Sequence, residues 1–332
     1  VAVGSNALNA NTTASYGTAI GYDALLLNTT GASNTAVGSY ALDANTTGTN
    51  NVGIGHYALS TNTTGSYNTA IGWQALLYST TAGYNTATGW KALATTTTGA
   101  YNTADGHQAA FSNTTGVNNT AVGRHALYAN TTANNNTALG YNSLVANTTG
   151  AANVAVGAVA LDANTTASGG VAVGWQALSA VTTGDDNIGI GANCGDSITT
   201  GITNIMIGKD AGNTCDSGER NICIGSLARI QYADTDEAIV LGYNIAGEGS
   251  RFSFGKASNV VYNTYTSNAS WTRSSDERKK TNIADATLGL DFINDLRTVT
   301  YKWKRSQDIP DTLDDYDADV NWMDTDVTMH GM

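Results

Sequence analysis

The stretch that decides the fold reads Asn34-Thr35-Ala36-Val37-Gly38-Ser39-Tyr40-Ala41-Leu42-Asp43-Ala44-Asn45-Thr46-Thr47-Gly48. Its glycine, Gly38, belongs to a series of fifteen spaced 17 residues apart, from Gly4 through Gly21 and Gly55 to Gly208, Gly225 and Gly242, with no insertion or deletion. A period of that size means that each repeat buries its apolar face on its neighbours, in a solenoid or a fibre shaft. Val, Ile or Leu precedes the glycine in thirteen of the fifteen units. Ala follows three residues after it (Ala7, Ala24, Ala41), then Leu (Leu8, Leu25, Leu42). These three positions are expected to form the core, because stacking asks for the same apolar residue at the same place in each unit. The phase-locked glycine marks a bend that needs positive φ or close backbone approach.

Seventeen residues are too few for a pair of packed helices. They suit one coil of a parallel β-solenoid, with two short strands and two turns, and Asn-Thr-Thr-Gly supplies the turn chemistry. An αα solenoid is the alternative, since Ala-Leu could begin a helical turn, but the Thr, Asn and Gly content opposes it. The expected fold class is all-β, a β-solenoid or β-roll shaft over residues 1–246. A β-rich connector over 247–274 and a small mixed α/β segment over 275–332 are expected to follow. One coil per repeat at about 4.8 Å gives a rod of roughly 67 Å.

Apolar residues make up 41% of the chain and charged residues 13%, which argues against disorder. The net charge is −12, most acids lie beyond about residue 180, and an aspartate run extends from Asp308 to Asp326. No basic face exists to displace counterions, so nucleic acid is not an expected partner. No apolar stretch approaches a membrane span. The chain enters in mid-repeat at Val1 and is expected to be a piece of something longer. The three cysteines show no metal spacing, and Cys194, standing where other units have Ala, reads as a small buried hydrophobe. No cofactor is expected.

Asn-Thr-Thr recurs at Asn11, Asn28, Asn45, Asn62, Asn113, Asn130, Asn147 and Asn164. Each is formally a glycosylation acceptor. The alternative is a ladder of stacked amides along one edge. Coils about 4.8 Å apart would crowd sugars on successive repeats, which favours the ladder. Two neighbouring units break the rule before the glycine, with Thr88 and Asp105. If that position is buried, Asp105 is a candidate for an ion site or a register pin; a solvated outward turn is the other reading.

The unit Ala36-Val37-Gly38 with Ala41-Leu42, preceded by Asn-Thr, resembles the head repeats of trimeric autotransporter adhesins. Its 17-residue length is closer to the repeats of phage tail fibres and related bacterial fibres. Downstream, Ser275-Asp276-Glu277-Arg278-Lys279-Lys280-Thr281-Asn282-Ile283 is followed by Gly289-Leu290-Asp291-Phe292-Ile293-Asn294 and by Tyr301-Lys302-Trp303-Lys304. This resembles the intramolecular chaperone of phage tail spikes and fibres, the self-cleaving S74 peptidase family. The resemblance implies that Ser275 is the nucleophile and Lys280 the base, with the cut between Ser274 and Ser275; Lys279 stands where the family pattern has leucine. A lysine can serve as base only when desolvation depresses its pKa. The match implies that the chain spans only the opening of that domain. It also implies a homotrimer in a virion tail fibre or extracellular filament, with a host cell-surface receptor, glycan or protein, as partner. A bacterial adhesin-like fibre is the second reading. A tail-spike polysaccharide hydrolase is the third, for which only Asp23, Asp43, Asp105 and Asp162, scattered along the chain, are available before residue 185. Asp315, Asp317, Asp319 and Asp326 resemble a calcium loop superficially, but Val320 stands where glycine is required.

Overall fold

A computed structural model describes residues 1–257 and 259–265, together with the backbone of 299–301 and 329–331. The chain divides into two units, Val1–Trp271 and Thr272–Met332. In the first, a 17-stranded sheet runs the length of the shaft, and no helix occurs among the described residues. In the second, Val299–Tyr301 pairs antiparallel with Met329–Gly331.

The shaft is a parallel β-solenoid with one coil per repeat. Each coil contributes one short strand, of three residues from Thr18–Ile20 to Ile222–Ile224, and its register to the next coil is 17 residues without exception from Ala2 to Leu241: Thr35 faces Val52, Ala36 faces Gly53, Val37 faces Ile54. Instead of two strands per coil there is one, and the rest is turn. A second short pairing, Arg229–Ile230 with Ala246–Gly247, appears only in the last coils. The turns are nonetheless bonded coil to coil. Tyr40 N–H donates to Tyr22 O at 2.9 Å, and Leu42 N–H to Ala58 O at 3.0 Å. Backbone groups therefore find partners around the whole circumference, as buried main chain requires.

Two features explain the strict glycine. At Gly38 φ is 135°, and a Cβ there would lie 2.6 Å from Gly55 O and 2.7 Å from Gly55 C. Any side chain would collide with the coil below as well as strain the backbone. More surprising are Tyr40 and Leu42, which hold φ of 56° and 54°. Left-handed L-residues cost roughly 1–2 kcal/mol each. They persist because Leu42 is fully buried and both N–H groups are bonded to neighbouring coils.

The core is smaller and more polar than the sequence suggests. The Ala three residues after the glycine and the Leu that follows are buried, as at Ala41 and Leu42. The residue before the glycine is not. Ile54 is 37% exposed, Ile71 40% and Leu139 46%; the buried strand residue is the middle one, Ala36, Ala70 or Ala138. Strand side chains alternate, so a strand whose middle residue points inward turns its first and third residues out. The interior is completed by asparagine.

The parallel stack does not end at Gly242. Arg251–Lys256 adds one further parallel strand, with Gly255 opposite Gly242, from a coil shortened to 13 residues. Asn259–Thr264 then pairs antiparallel with it and covers the edge.

Candidate functional site

Along the coil, Asn45-Thr46-Thr47 turns a corner. Asn28, Asn45, Asn62, Asn113, Asn130, Asn147 and Asn164 are all 0% exposed, inside the rod and not along an edge. Asn45 Nδ2 donates to Asn28 Oδ1 at 2.7 Å and to Gly48 O at 3.0 Å; Asn130 repeats this on Asn113 Oδ1 and Ala133 O. Nitrogens so enclosed have no room for a sugar. Asn11, in the first coil, is exposed and bonds only Ala14. The run is broken at Ser79 and Thr96, whose hydroxyls are buried without a partner.

A second amide column went unread in the sequence. Asn34, Asn51, Asn68 and their successors to Asn221, four residues before the glycine and interrupted at Gly170, are equally buried. Asn34 Oδ1 accepts the N–H of Asn51 at 2.9 Å, and Asn51 Nδ2 donates to Gly65 O at 2.8 Å. The 17-residue recurrence of Asn-Thr before the strand carried that signal.

Asp105 is exposed, so neither buried version of that site holds. Because the position before the glycine faces out, Thr88 and Asp105 form a polar notch, opposite one another on adjacent coils, in an otherwise apolar stripe. Of the other acids, Asp23 sits two residues after its glycine, and Asp43 and Asp162 five after theirs. Asp23 is buried and accepts a bond from Asn6 Nδ2 at 2.9 Å. Burial holds the Asp43 carboxyl above the ordinary range, partly offset by a bond from Ser60; burial does the same to Asp162. This scatter does not assemble the facing carboxylates of a glycoside hydrolase. Among the described residues no group of three or more His, Cys, Asp or Glu could hold a metal. Cys194, Cys215 and Cys223 are buried and unpaired, and burial pushes each thiol up to about 12, which makes them unreactive filler.

The surface carries two kinds of ladder. On the strand face, outward Val and Ile stack from coil to coil, from Ile20 to Leu241. Aromatic columns flank that face in the middle of the shaft. Trp73 stacks on Trp90 with ring centroids 5.5 Å apart, and Trp90 on His107 at 4.5 Å; Lys91 Nζ lies 4.7 Å from the Trp90 ring. Tyr67, Tyr84 and Tyr101 stack at 4.9 Å per step. All of them sit at 17-residue spacing and were legible as a pattern, but not as a surface.

Ser274, Ser275, Lys279 and Lys280, the acidic run Asp308 to Asp326 and the mixed α/β expectation for 275–332 fall outside the described residues, the short antiparallel pair excepted. None of the described helices, there being none, is long and apolar enough to cross a membrane. No curated protein compared with the chain matches it. The model of the S74 peptidase family, described as chaperone of endosialidase, matches residues 275–320. The chain thus joins a β-solenoid of 17-residue coils to an S74-type chaperone segment, a combination consistent with a phage tail fibre or tail spike.

Proposed function

We propose that the chain is the shaft of a homotrimeric tail fibre that attaches a virion to its host, and that its C-terminal segment assists assembly and then cleaves itself off before Ser275. The observation that carries this reading is the joining of the solenoid to the segment matched at residues 275–320. A uniform rod has reach and no central cleft, which suits attachment better than turnover.

The outward Val and Ile stripe supports self-association. The whole strand face, three residues or about 10 Å wide and roughly 67 Å long, with the stripe along one side, covers about 700 Å² per copy, near the 800 Å² per partner of a standard interface. Its period is the coil rise, so a partner that matches it along its whole length must have the same rise, and another copy does. Thr88 and Asp105 divide the stripe into two apolar runs with a wet notch between them. In the cleavage step Lys280 removes the Ser275 hydroxyl proton, the alkoxide attacks the carbonyl of Ser274, and the amine of Ser275 leaves with a proton; water then hydrolyses the resulting ester, freeing the Ser274 carboxylate and the Ser275 hydroxyl. Lysine is a base only when desolvated, so assembly would license the cut.

Light scattering on the purified chain tests the oligomer. Three times the 34.2 kDa chain mass is expected, and a monomer would refute the trimer. Ile190→Asp, on the exposed stripe, should shift the mass towards one copy. For the cut, Ser275→Ala and Lys280→Ala should stay intact in the full-length fibre, while Lys279→Ala should cleave; cleavage in Lys280→Ala would reassign the base.

A further inference from the structure

One column of the repeat is unvarying over twelve coils although its side chain has no structural duty. At the Asn-Thr-Thr corner the asparagine is held by the ladder. The first threonine donates its hydroxyl to the next coil, as Thr46 does to Thr63 O at 3.0 Å and Thr63 to Thr80 O at 3.0 Å. The second threonine recurs in twelve consecutive coils, from Thr13 through Thr64, Thr81 and Thr98 to Thr200, and is exposed in each. Among the described residues no protein group bonds its hydroxyl. Two residues further on, at half-buried positions, the coils show Thr49, Ser66, Gly83, Ala100 and Val117, so this part of the turn accepts varied residues. The threonine has not changed with them.

Over three coils this hydroxyl column meets an aromatic one. Tyr67, Tyr84 and Tyr101 follow Thr64, Thr81 and Thr98 by three residues and stay 52%, 52% and 59% exposed. Their rings are within 10° of parallel, so they cover one another's faces and present a ridge of edges and phenol hydroxyls. Small residues, Ser66, Gly83 and Ala100, separate the ridge from the threonines and are less exposed than either, so the two columns flank a recessed strip that we read as a furrow. No charged residue occurs within 63–67, 80–84 or 97–101.

We propose that this furrow binds a neutral, linear polysaccharide lying along the rod, one sugar unit per coil. A coil rise of about 4.8 Å is close to the length of an extended hexose unit. Threonine hydroxyls on one side and phenols on the other pair with sugar hydroxyls, while ring edges and threonine methyls take the apolar C–H surface. The absence of charge selects against anionic glycans. The proposal deepens the attachment reading and rests on it for its biological purpose, though not for the binding itself.

The test is titration calorimetry on the whole chain with linear gluco-, manno- and galacto-oligosaccharides of increasing length, against oligogalacturonate as the anionic contrast. One neutral series should bind, with affinity rising up to the span of the three tyrosine coils. Thr81→Val, which keeps shape and loses the hydroxyl, and Tyr84→Ser should each weaken binding about fivefold to tenfold. Tyr78→Ser, exposed on another part of the coil, should not. Absence of binding at millimolar sugar, equal binding of oligogalacturonate, or full affinity in both furrow variants would overturn the proposal. So would a change of solution mass in Tyr84→Ser, which would make the face a contact between copies. Labelled chain on bacterial cells separates the two readings. If Tyr84→Ser loses the oligosaccharide yet still binds cells, the furrow is a sugar site and the attachment reading fails there; loss of cells with the oligosaccharide retained refutes the furrow as receptor site.

Discussion

The coils that begin at Gly21 to Gly157 and those that begin at Gly174 to Gly208 share one frame and fill it differently. In the first set the column seven residues after the glycine is asparagine, except at Ser79 and Thr96, and the column four after is leucine, except at Ala110. In the second set the amide column becomes Val181, Ile198 and Cys215, while leucine, kept at Leu178, gives way to Gly195 and Gly212. The exchanges compensate one another. A Cβ on Gly195 would sit 2.7 Å from Leu178 Cδ2 and 3.1 Å from Ile198 Cδ1; one on Gly212 would be 2.2 Å from Met206 Sδ. The space lost by leucine is taken by Ile198 and Met206, entering from other columns. Asn164, where the two regimes meet, has no amide beyond it and turns its Oδ1 to the N–H of Ala167 at 2.9 Å. The interior therefore demands volume and satisfied polar atoms, not a fixed residue list, whereas the glycine corner tolerates nothing else.

The largest expected effect tests the shared frame. Gly123→Ala, from the amide region, and Gly208→Ala, from the apolar one, place a Cβ 2.6 Å from Gly140 O and 2.7 Å from Gly225 C. Each should lose about 3 kcal/mol or more in denaturant unfolding; tolerance in one region alone would show that the frame is not common. Next comes the contrast itself. Asn130→Val strips Asn113 Oδ1 and Asn147 Nδ2 of a partner and should cost roughly 2–4 kcal/mol, while Cys215→Val in the same column should cost less than about 1.5 kcal/mol. Equal losses would abolish the distinction. A gain is expected from repair. Asn62 Oδ1, Ser79 Oγ and Thr96 Oγ1 are buried without partners, so Ser79→Asn with Thr96→Asn should close the ladder and add about 1–3 kcal/mol. The smallest effect is on pH. Burial raises the Asp43 carboxyl in the fold, so the folded state binds the proton more readily, and stability falls as pH rises from 3.8 through the raised value. Asp43→Asn should raise the melting temperature at pH 7 and leave it unchanged near pH 3.

The period, the register and the alanine–leucine pair were legible because stacking makes each coil repeat its neighbour's chemistry. The orientation of the residue before the glycine was not. Val37 and Ile54 look like core, and only the inward turn of Ala36 and Gly53 shows that they face out. Asp105 was misplaced for the same reason. The single strand per coil was hidden because Tyr40 and Leu42 adopt a left-handed backbone that their side chains do not announce. The first amide ladder was readable from Asn-Thr-Thr, but its place inside the rod depended on the whole circumference, and the Asn34 column, marked only by its 17-residue recurrence, went unread. Ser275 and Lys280 lie outside the described residues, and their roles rest on the resemblance of the sequence pattern.

The constant 17-residue register has a consequence for how the rod forms. Between Ala2 and Leu241 each strand meets its partner across the same short length of chain, whether the shaft has five coils or fifteen. The entropy lost in closing one coil is then the same at each step, and relative contact order falls as the rod lengthens. Growth is a zipper: once a pair of coils exists, each new one docks on a finished template and waits for nothing distant. Lengthening such a fibre by whole repeats extends its reach without slowing the step that limits its folding.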